Sequence, residues 1–298
     1  MCGIAGIFAL NDQGKKLLSK TNDAIQTLNK RGPDAHGVYQ HRCVSLGHTR
    51  LSIIDTSEAS AQPMPDGSGR YTIVYNGEFY NYKSVRKELQ ADGVKFSSEG
   101  DTEVLLQLYI KEGEKCVEKV NGFFAFAIYD KEEQSLFVAR DRLGIKPLLY
   151  FQDEDKIIFA SELKALIQYE IPREIDHVSL FTYLQLNYVP APSTMLNNVK
   201  KLEPGCFLSV SNQEILPPKR YYEIAYNPSK TVDVEVDNYQ SAQDTLYKKM
   251  DQAVEIRLVS DVPLGTFLSG GIDSSIITSL AAQKVSGLSS FSIGFKDE

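Results

Sequence analysis

Short apolar runs rich in β-branched and aromatic residues punctuate the first half of the chain: GIAGIFA from Gly3, YTIVY from Tyr71, FFAFAIY from Phe123, SLFVA from Ser135 and KIIFA from Lys156. Runs of this length bounded by turn residues predict strands. MPDGSG stands before Tyr71, and the Asn-Gly pair of YNGEFYN reads as a tight turn after that strand. Helical spacing interrupts at Tyr82 to Gln90, where Val85 and Leu89 are i, i+4, and at Thr102 to Ile110, with Leu105, Leu106 and Tyr109. The strands come in consecutive runs and do not alternate with helices. That order predicts an α+β fold, stacked antiparallel sheets flanked by helices, over a doubly wound sheet.

From Ile171 the pattern loosens. NYVPAPSTM and ILPPKRYYEIAYNPSK are dense in proline and tyrosine and read as connecting sequence, with one short hairpin expected at Lys200 to Val210 (KKLEPGCFLSV). At Ser241 it tightens again. SAQD reads as a capping signal, and Leu246, Met250, Ala253, Val254 and Leu258 follow on one helical face. A strand (VPLGTFL), a glycine turn (SGGIDSS), a helix (SSIITSLAAQKV) and a strand (LSSFSIGF) come next. That is the order expected at the start of an α/β nucleotide-binding domain. An open parallel sheet needs more strands than these, so this domain is expected to be truncated.

Composition then removes several classes. The length of 298 residues suggests two domains, and 42% hydrophobic with 24% charged residues is ordinary for a globular protein. No apolar run reaches the ~18–20 residues that cross a bilayer. A net charge of -7 argues against nucleic-acid partners, although a glycine loop can still hold phosphate on an acidic protein. Cys2, Cys43, Cys116 and Cys206 form no C-x-x-C pair, and His36, His41, His48 and His177 show no metal spacing. A cytoplasmic protein without a disulfide framework or zinc site is expected.

Two stretches carry candidate chemistry. In LSGGIDSS (Leu268 to Ser275) the glycines let the backbone wrap an anion ahead of a helix N-terminus, and Ser269, Ser274 and Ser275 add hydroxyls. Asp273 would repel a bare phosphate and is the candidate magnesium ligand. No lysine follows the glycines, so this is not a Walker loop. The second stretch is MCGIAGIF. Cys2 reads either as the first residue of a buried strand or as a nucleophile. If Met1 is removed, Cys2 carries a thiol and an α-amine of ordinary pKa about 7.7–8.0, nucleophile and base on one residue.

The loop resembles the pyrophosphate-binding loop of ATP pyrophosphatases. MCGIAGIF, RGPDAHG, GHTRLSIID, YNGEFYN, GDTEVLL, NGFFAFAIYD, ARDRLGIKPLLY and ASELKAL resemble, in order, the motifs of class II glutamine amidotransferases. Together they resemble the glutamine-hydrolysing asparagine synthetase family over nearly the whole chain. The resemblance implies an N-terminal-nucleophile hydrolase sandwich at 2–210, a connecting region at 211–240 and the N-terminal part of a synthetase domain at 241–298. It implies that Cys2 attacks the side-chain amide of glutamine, with the Asn76 side chain and the Gly77 N–H as oxyanion hole. Arg50 would hold the substrate α-carboxylate, Glu78 and Asp101 its α-ammonium, and Leu51, Ser52, Ile53 and Ile54 would line the pocket. Arg31, Arg140, Asp141 and Lys146 are assigned to scaffold or interdomain contact.

In the second domain Leu268, Ser269, Gly270, Gly271, Ile272, Asp273, Ser274, Ser275 and Ile293 would bind ATP, with Mg2+. An acceptor carboxylate, aspartate in this family, would be adenylated, and ammonia would displace AMP. The resemblance brings no nucleic-acid or membrane partner and leaves room for a homodimer. Each residue also has a plainer reading: Arg50 as a solvated ion-pair partner, Asp101 as a helix cap, Asn76-Gly77 as an ordinary turn. FTYLQLNYVPAPSTMLNNVKKLEPG resembles a segment of branches that include enzymes amidating sugar acids, so a related amidotransferase with another acceptor is the alternative. A non-catalytic glutamine-binding module is the third reading, against which Cys2, Arg50, Asn76 and Asp101 argue. The family's synthetase domain runs well past Ser275, so the glutaminase step alone is expected of this sequence.

Overall fold

The computed structural model describes residues 1–224 and 238–294. They fall into two units, Met1–Glu223 and Ile224–Glu298. The strands of the first unit are β1 (Gly3–Ala9), β2 (Ala35–His41), β3 (Val44–Arg50), β4 (Met64–Pro65), β5 (Tyr71–Phe79), β6 (Gly122–Asp130), β7 (Ser135–Arg140), β8 (Leu149–Gln152), β9 (Lys156–Ala160), β10 (Val199–Lys201), β11 (Cys206–Ser211), β12 (Glu214–Ile215) and β13 (Lys219–Arg220). They form two antiparallel sheets. One has the order β10-β8-β9-β1-β3-β2; the other has β12-β11-β7-β6-β5-β4, with β13 on β11. The helices are α1 (Asp12–Lys15), α2 (Thr21–Gln26), α3 (Tyr82–Ala91), α4 (Asp101–Glu112), α5 (Cys116–Lys119), α6 (Leu163–Leu166) and α7 (His177–Leu186).

The sheets share one core. Ile4, Ile7 and Phe8 of β1 pack with Val74, Ala127 and Val138 of the facing sheet. Ile4, Ile7 and Phe8 are fully buried, each contributing about 1.5–3 kcal/mol. Every residue of GIAGIFA is buried because β1 is an interior strand, between β3 (Gly3 opposite Thr49) and β9 (Ala5 opposite Ala160). The start of the chain is therefore held by a ladder on either side.

Three local readings are corrected. Asn76 and Gly77 do not form a turn: β5 runs on to Phe79, pairing Asn76 with Ala125 and Gly77 with Phe124. Lys200 to Val210 is not a hairpin. Its first strand, β10, pairs with β8 in one sheet, and its second, β11, pairs with β7 in the other, so Pro204-Gly205 crosses between layers. The stretch after Ile171 is not wholly connecting sequence either, since it contains α7, capped by the Asp176 carboxylate. The first unit also runs past position 210, because β12 and β13 both pair with β11. Of the 211–240 region, residues 225–237 lie outside the described residues.

The second unit holds α8 (Tyr239–Glu255), β14 (Gly265–Phe267), α9 (Ile272–Lys284) and β15 (Ser289–Phe291). The α8 cap is Asn238, whose side chain accepts from the Ser241 N–H, so the helix starts ahead of the SAQD signal. β14 and β15 pair in parallel with α9 between them, the β-α-β order anticipated for this part. Residues 295–298 of the anticipated LSSFSIGF strand region and beyond lie outside the described residues.

Candidate active site

Cys2 stands just ahead of β1, half-buried. The Leu51 N–H donates to its Sγ at 3.4 Å, and the thiol lies 3.7 Å from the Leu51 carbonyl oxygen. Burial raises the thiol above its ordinary value, against the lowering effects of the Leu51 N–H, the chain's α-amine and the buried Lys146 ammonium. At rest it is a thiol that needs a base. Burial also lowers the α-amine of Met1, while the Met1 residue is 57% exposed.

A small cleft beside the thiol is lined by Arg50, Leu51, Ile53, Ile54, Ser60, Gln62, Tyr75, Gly77, Asp101 and Thr102. It brings a cation and an anion to the same thiol. Arg50 ends β3 and is buried, in an ion pair with no acid among the described residues. Its Nη1 donates to the Ser57 carbonyl at 2.8 Å and its Nη2 to the Asp55 carbonyl. Asp101 is the first residue of α4, yet it does not cap that helix; Gly100 occupies the cap position. Its carboxylate instead accepts from the Tyr75 hydroxyl at 3.1 Å and the Phe79 N–H at 3.0 Å. Burial pushes Asp101 up to about 6, opposed by those two donors and reinforced by the nearby charge of Glu78.

Asn76 is 1% exposed, and its Nδ2 has no hydrogen-bond partner. Strand alternation puts it on the face of Val74, which belongs to the core between the sheets. A buried amide donor left unpaired costs free energy, about 1–3 kcal/mol, unless a ligand oxygen takes it up. Gly77 is needed where it stands: a Cβ there would come within 2.4 Å of the Tyr75 ring and 2.5 Å of the Phe123 carbonyl oxygen. Ser52, Asn76 and Glu78 are not among the cleft lining. The Ser52 N–H is taken by the Asp34 carboxylate at 2.8 Å.

Pattern reading missed several groups here. Gln62 accepts the Tyr75 N–H at 2.6 Å and donates to Thr102 Oγ1 at 3.3 Å, bracing the cleft floor. Arg31, assigned to scaffold, touches the candidate nucleophile itself: its Nε donates to the Cys2 carbonyl at 2.9 Å. Arg140 and Asp141 do act as scaffold. The Asp141 carboxylate accepts four N–H groups, of Phe124, Leu143, Ile145 and Lys146.

The model of a glutamine amidotransferase domain family matches residues 1–222. The chain belongs to that family. An asparagine synthase family model matches residues 245–298. Among curated relatives of this amidotransferase, asparagine synthetase [glutamine-hydrolyzing] 1 of Bacillus subtilis is 39% identical over 100% of the chain and 46% of its own length. Asparagine synthetase B [glutamine-hydrolyzing] of Escherichia coli is 32% identical over 94% of the chain and 44% of its own. Amidase chry2 of Gibberella zeae is 31% identical over 96% and 43%. The chain thus spans about half the length of the curated relatives it matches. A solved glutamine phosphoribosylpyrophosphate amidotransferase of B. subtilis shares the fold, with a TM-score of 0.56 at 18% identity over 97% of this chain and 65% of that one.

The second unit of this amidotransferase chain carries the glycine loop between β14 and α9. Gly270 sits at φ +83 with open space where a Cβ would point. Ser269 and Ser274 hydroxyls lie 3.0 Å apart, and Ser274 and Ser275 both donate to the Gly271 carbonyl. Leu268 and Ile293 follow the parallel strands β14 and β15, at the carboxyl ends where open α/β sheets bind ligands. Asp273 is exposed in the first turn of α9. Among the described residues no group of three acidic, histidine or cysteine side chains gathers to hold a metal, so a cation here would rest on Asp273 and its ligand's phosphates.

Proposed function

We propose that the chain hydrolyses glutamine to glutamate and ammonia at Cys2, as the amidotransferase part of a glutamine-dependent asparagine synthetase. One observation carries this reading: Arg50 and Asp101, opposite charges from different layers, share a small cleft with the Cys2 thiol. That is the complement of an α-amino acid head group. Arg50 has N–H donors to spare for the α-carboxylate. Asp101, with Glu78 behind it, would hold the α-ammonium.

Removal of Met1 would leave the α-amine on Cys2. The amine takes the thiol proton as Sγ attacks the side-chain amide carbon. The oxyanion forms against Asn76 Nδ2 and the Gly77 N–H, and a donor of this kind is typically worth ~2.7–4 kcal/mol of barrier. The amine then passes its proton to the leaving nitrogen, releasing ammonia and a thioester. Water cleaves the thioester to glutamate and restores the thiol.

The second unit would hold ATP on the Leu268 to Ser275 loop and at Ile293, with Mg2+ at Asp273. When bound, ATP would supply the group that activates an acceptor carboxylate. Aspartate is the acceptor favoured by the names of the relatives. Another carboxylate is the second reading, favoured by the FTYLQLNYVPAPSTMLNNVKKLEPG segment. The unpaired cysteines suit a cytoplasmic setting. The test is release of glutamate and ammonia in equal amounts by the purified chain, lost in Cys2→Ala. A processed chain that releases neither would overturn the reading.

A further inference from the structure

The two charged groups that frame the cleft come from separate elements, Arg50 from the end of β3 and Asp101 from the start of α4. One side chain lies between the segments that lead to them. Asp55 Oδ1 accepts from the Ser57 N–H at 3.1 Å and the Ser57 hydroxyl at 2.5 Å, closing the loop after β3 on itself. Its Oδ2 accepts from the Ser60 hydroxyl at 2.8 Å and from the Glu99 N–H at 2.8 Å. Glu99 is two residues ahead of Asp101. The carbonyls that receive both Nη atoms of Arg50 belong to Asp55 itself and to Ser57.

The residue is built for this place. Asp55 adopts φ 47, which aspartate tolerates better than most side chains. Burial alone would raise its carboxyl, but the donors from Ser57, Ser60 and Glu99 hold it at about 2, so it is charged at any working pH. Gly100 closes the junction from the other side: a Cβ there would come within 2.7 Å of Ser60 Oγ.

We propose that Asp55 is a positioning residue that sets the separation of Arg50 and Asp101, and through it the selectivity of the cleft for the α-amino acid head group of glutamine. This rests on the glutaminase reading above. It assigns Asp55 no contact with substrate.

Two thiol reagents test it. A glutamine-like diazoketone must use the head-group clamp to reach Cys2, whereas iodoacetamide needs only the thiol. Asp55→Asn removes the charge and presents an amide N–H to donors. It should slow diazoketone labelling and raise the glutamine KM by about tenfold or more, the scale of a lost hydrogen bond to a charged group. Iodoacetamide labelling of Cys2 and kcat should stay near wild type, while the unfolding midpoint falls, because the folded state loses a carboxylate held by four donors. Gly100→Ala, acting on the same junction without touching the carboxylate, should shift diazoketone labelling the same way.

Asp55→Asn with diazoketone labelling unchanged would overturn the inference. So would an equal fall with both reagents, which would mark Asp55 as merely structural. A wild-type chain that takes iodoacetamide but neither the diazoketone nor glutamine would overturn the glutaminase reading, and this inference with it.

Discussion

Arg31 Nε donates to the carbonyl oxygen of Cys2 at 2.9 Å, while its Nη1 pairs with Glu162 at 2.9 Å. The backbone of the candidate nucleophile is thus held by a cation whose own position is fixed by a second charge. Lysine keeps the charge but cannot make both contacts in one plane. Arg31→Lys should lower kcat for glutamine hydrolysis by about tenfold, roughly 1.4 kcal/mol of barrier. Steady-state kinetics check this, and an unchanged kcat would refute it.

The α-amine mechanism makes a separate demand. One extra residue left ahead of Cys2 turns the amine into an amide, which cannot take up a proton near neutral pH. Glutaminase activity should vanish in that variant while its thermal midpoint stays put. Full activity would remove the α-amine from the mechanism.

Asp101 should write a pH dependence into glutamine binding. Its ordinary value is 3.8, and burial lifts it to about 6 in the folded chain. Below about pH 6 the carboxyl takes a proton and loses its attraction for an ammonium group, so the glutamine KM should rise as pH falls through that value. The stability effect runs the other way. Between about pH 6 and 4 the folded state binds more protons than the unfolded one, so this group favours folding increasingly as pH drops. Asp101→Asn should abolish the inflection in KM near pH 6 and should not lower stability at neutral pH. An unshifted inflection in that variant would assign it to another group.

His48 should do the opposite to stability. Its Nε2–H donates to the Tyr75 carbonyl across the two sheets at 3.1 Å, and its Nδ1 has no partner. Burial drives the ring from an ordinary 6.5 to about 3. As pH falls from about 6.5 toward 3, the unfolded chain takes a proton that the folded chain refuses, and stability is lost across that window. His48→Gln should flatten the loss between neutral pH and about pH 4.5 in denaturant titrations. Equal losses in both proteins would clear His48.

Much of the sandwich is readable from the chain because its strands are short apolar runs, and β1, β6, β7 and β9 fall where those runs predict. β3 escapes that reading. VSLGHTR is fully buried, yet glycine, histidine, threonine and arginine break its apolar pattern. Its polar groups are satisfied only by the folded neighbours, such as Tyr75 for His48. Asn-Gly and Pro-Gly are both honest local turn signals, and one misleads because Gly77 is there for close packing against Tyr75 and Phe123. The other misleads because strand partners are set by the whole sheet. The same limit applies to the site. Cys2 invites suspicion by its position, but nothing local distinguishes Arg50 from a surface ion pair or Asp101 from a cap. What brings them together is a cleft assembled from segments far apart in the chain, a juxtaposition that residue spacing does not display.

Chain ends usually exchange their amide hydrogens with solvent first, because nothing holds them. Here the stretch from Gly3 is an interior strand with a hydrogen-bonded neighbour on each side. Its amides should be among the last in the first unit to take up deuterium, protected up to the stability of the whole unit. A thiol one residue ahead of such a strand keeps its bearing through thermal motion that would scatter the same residue at a loose terminus.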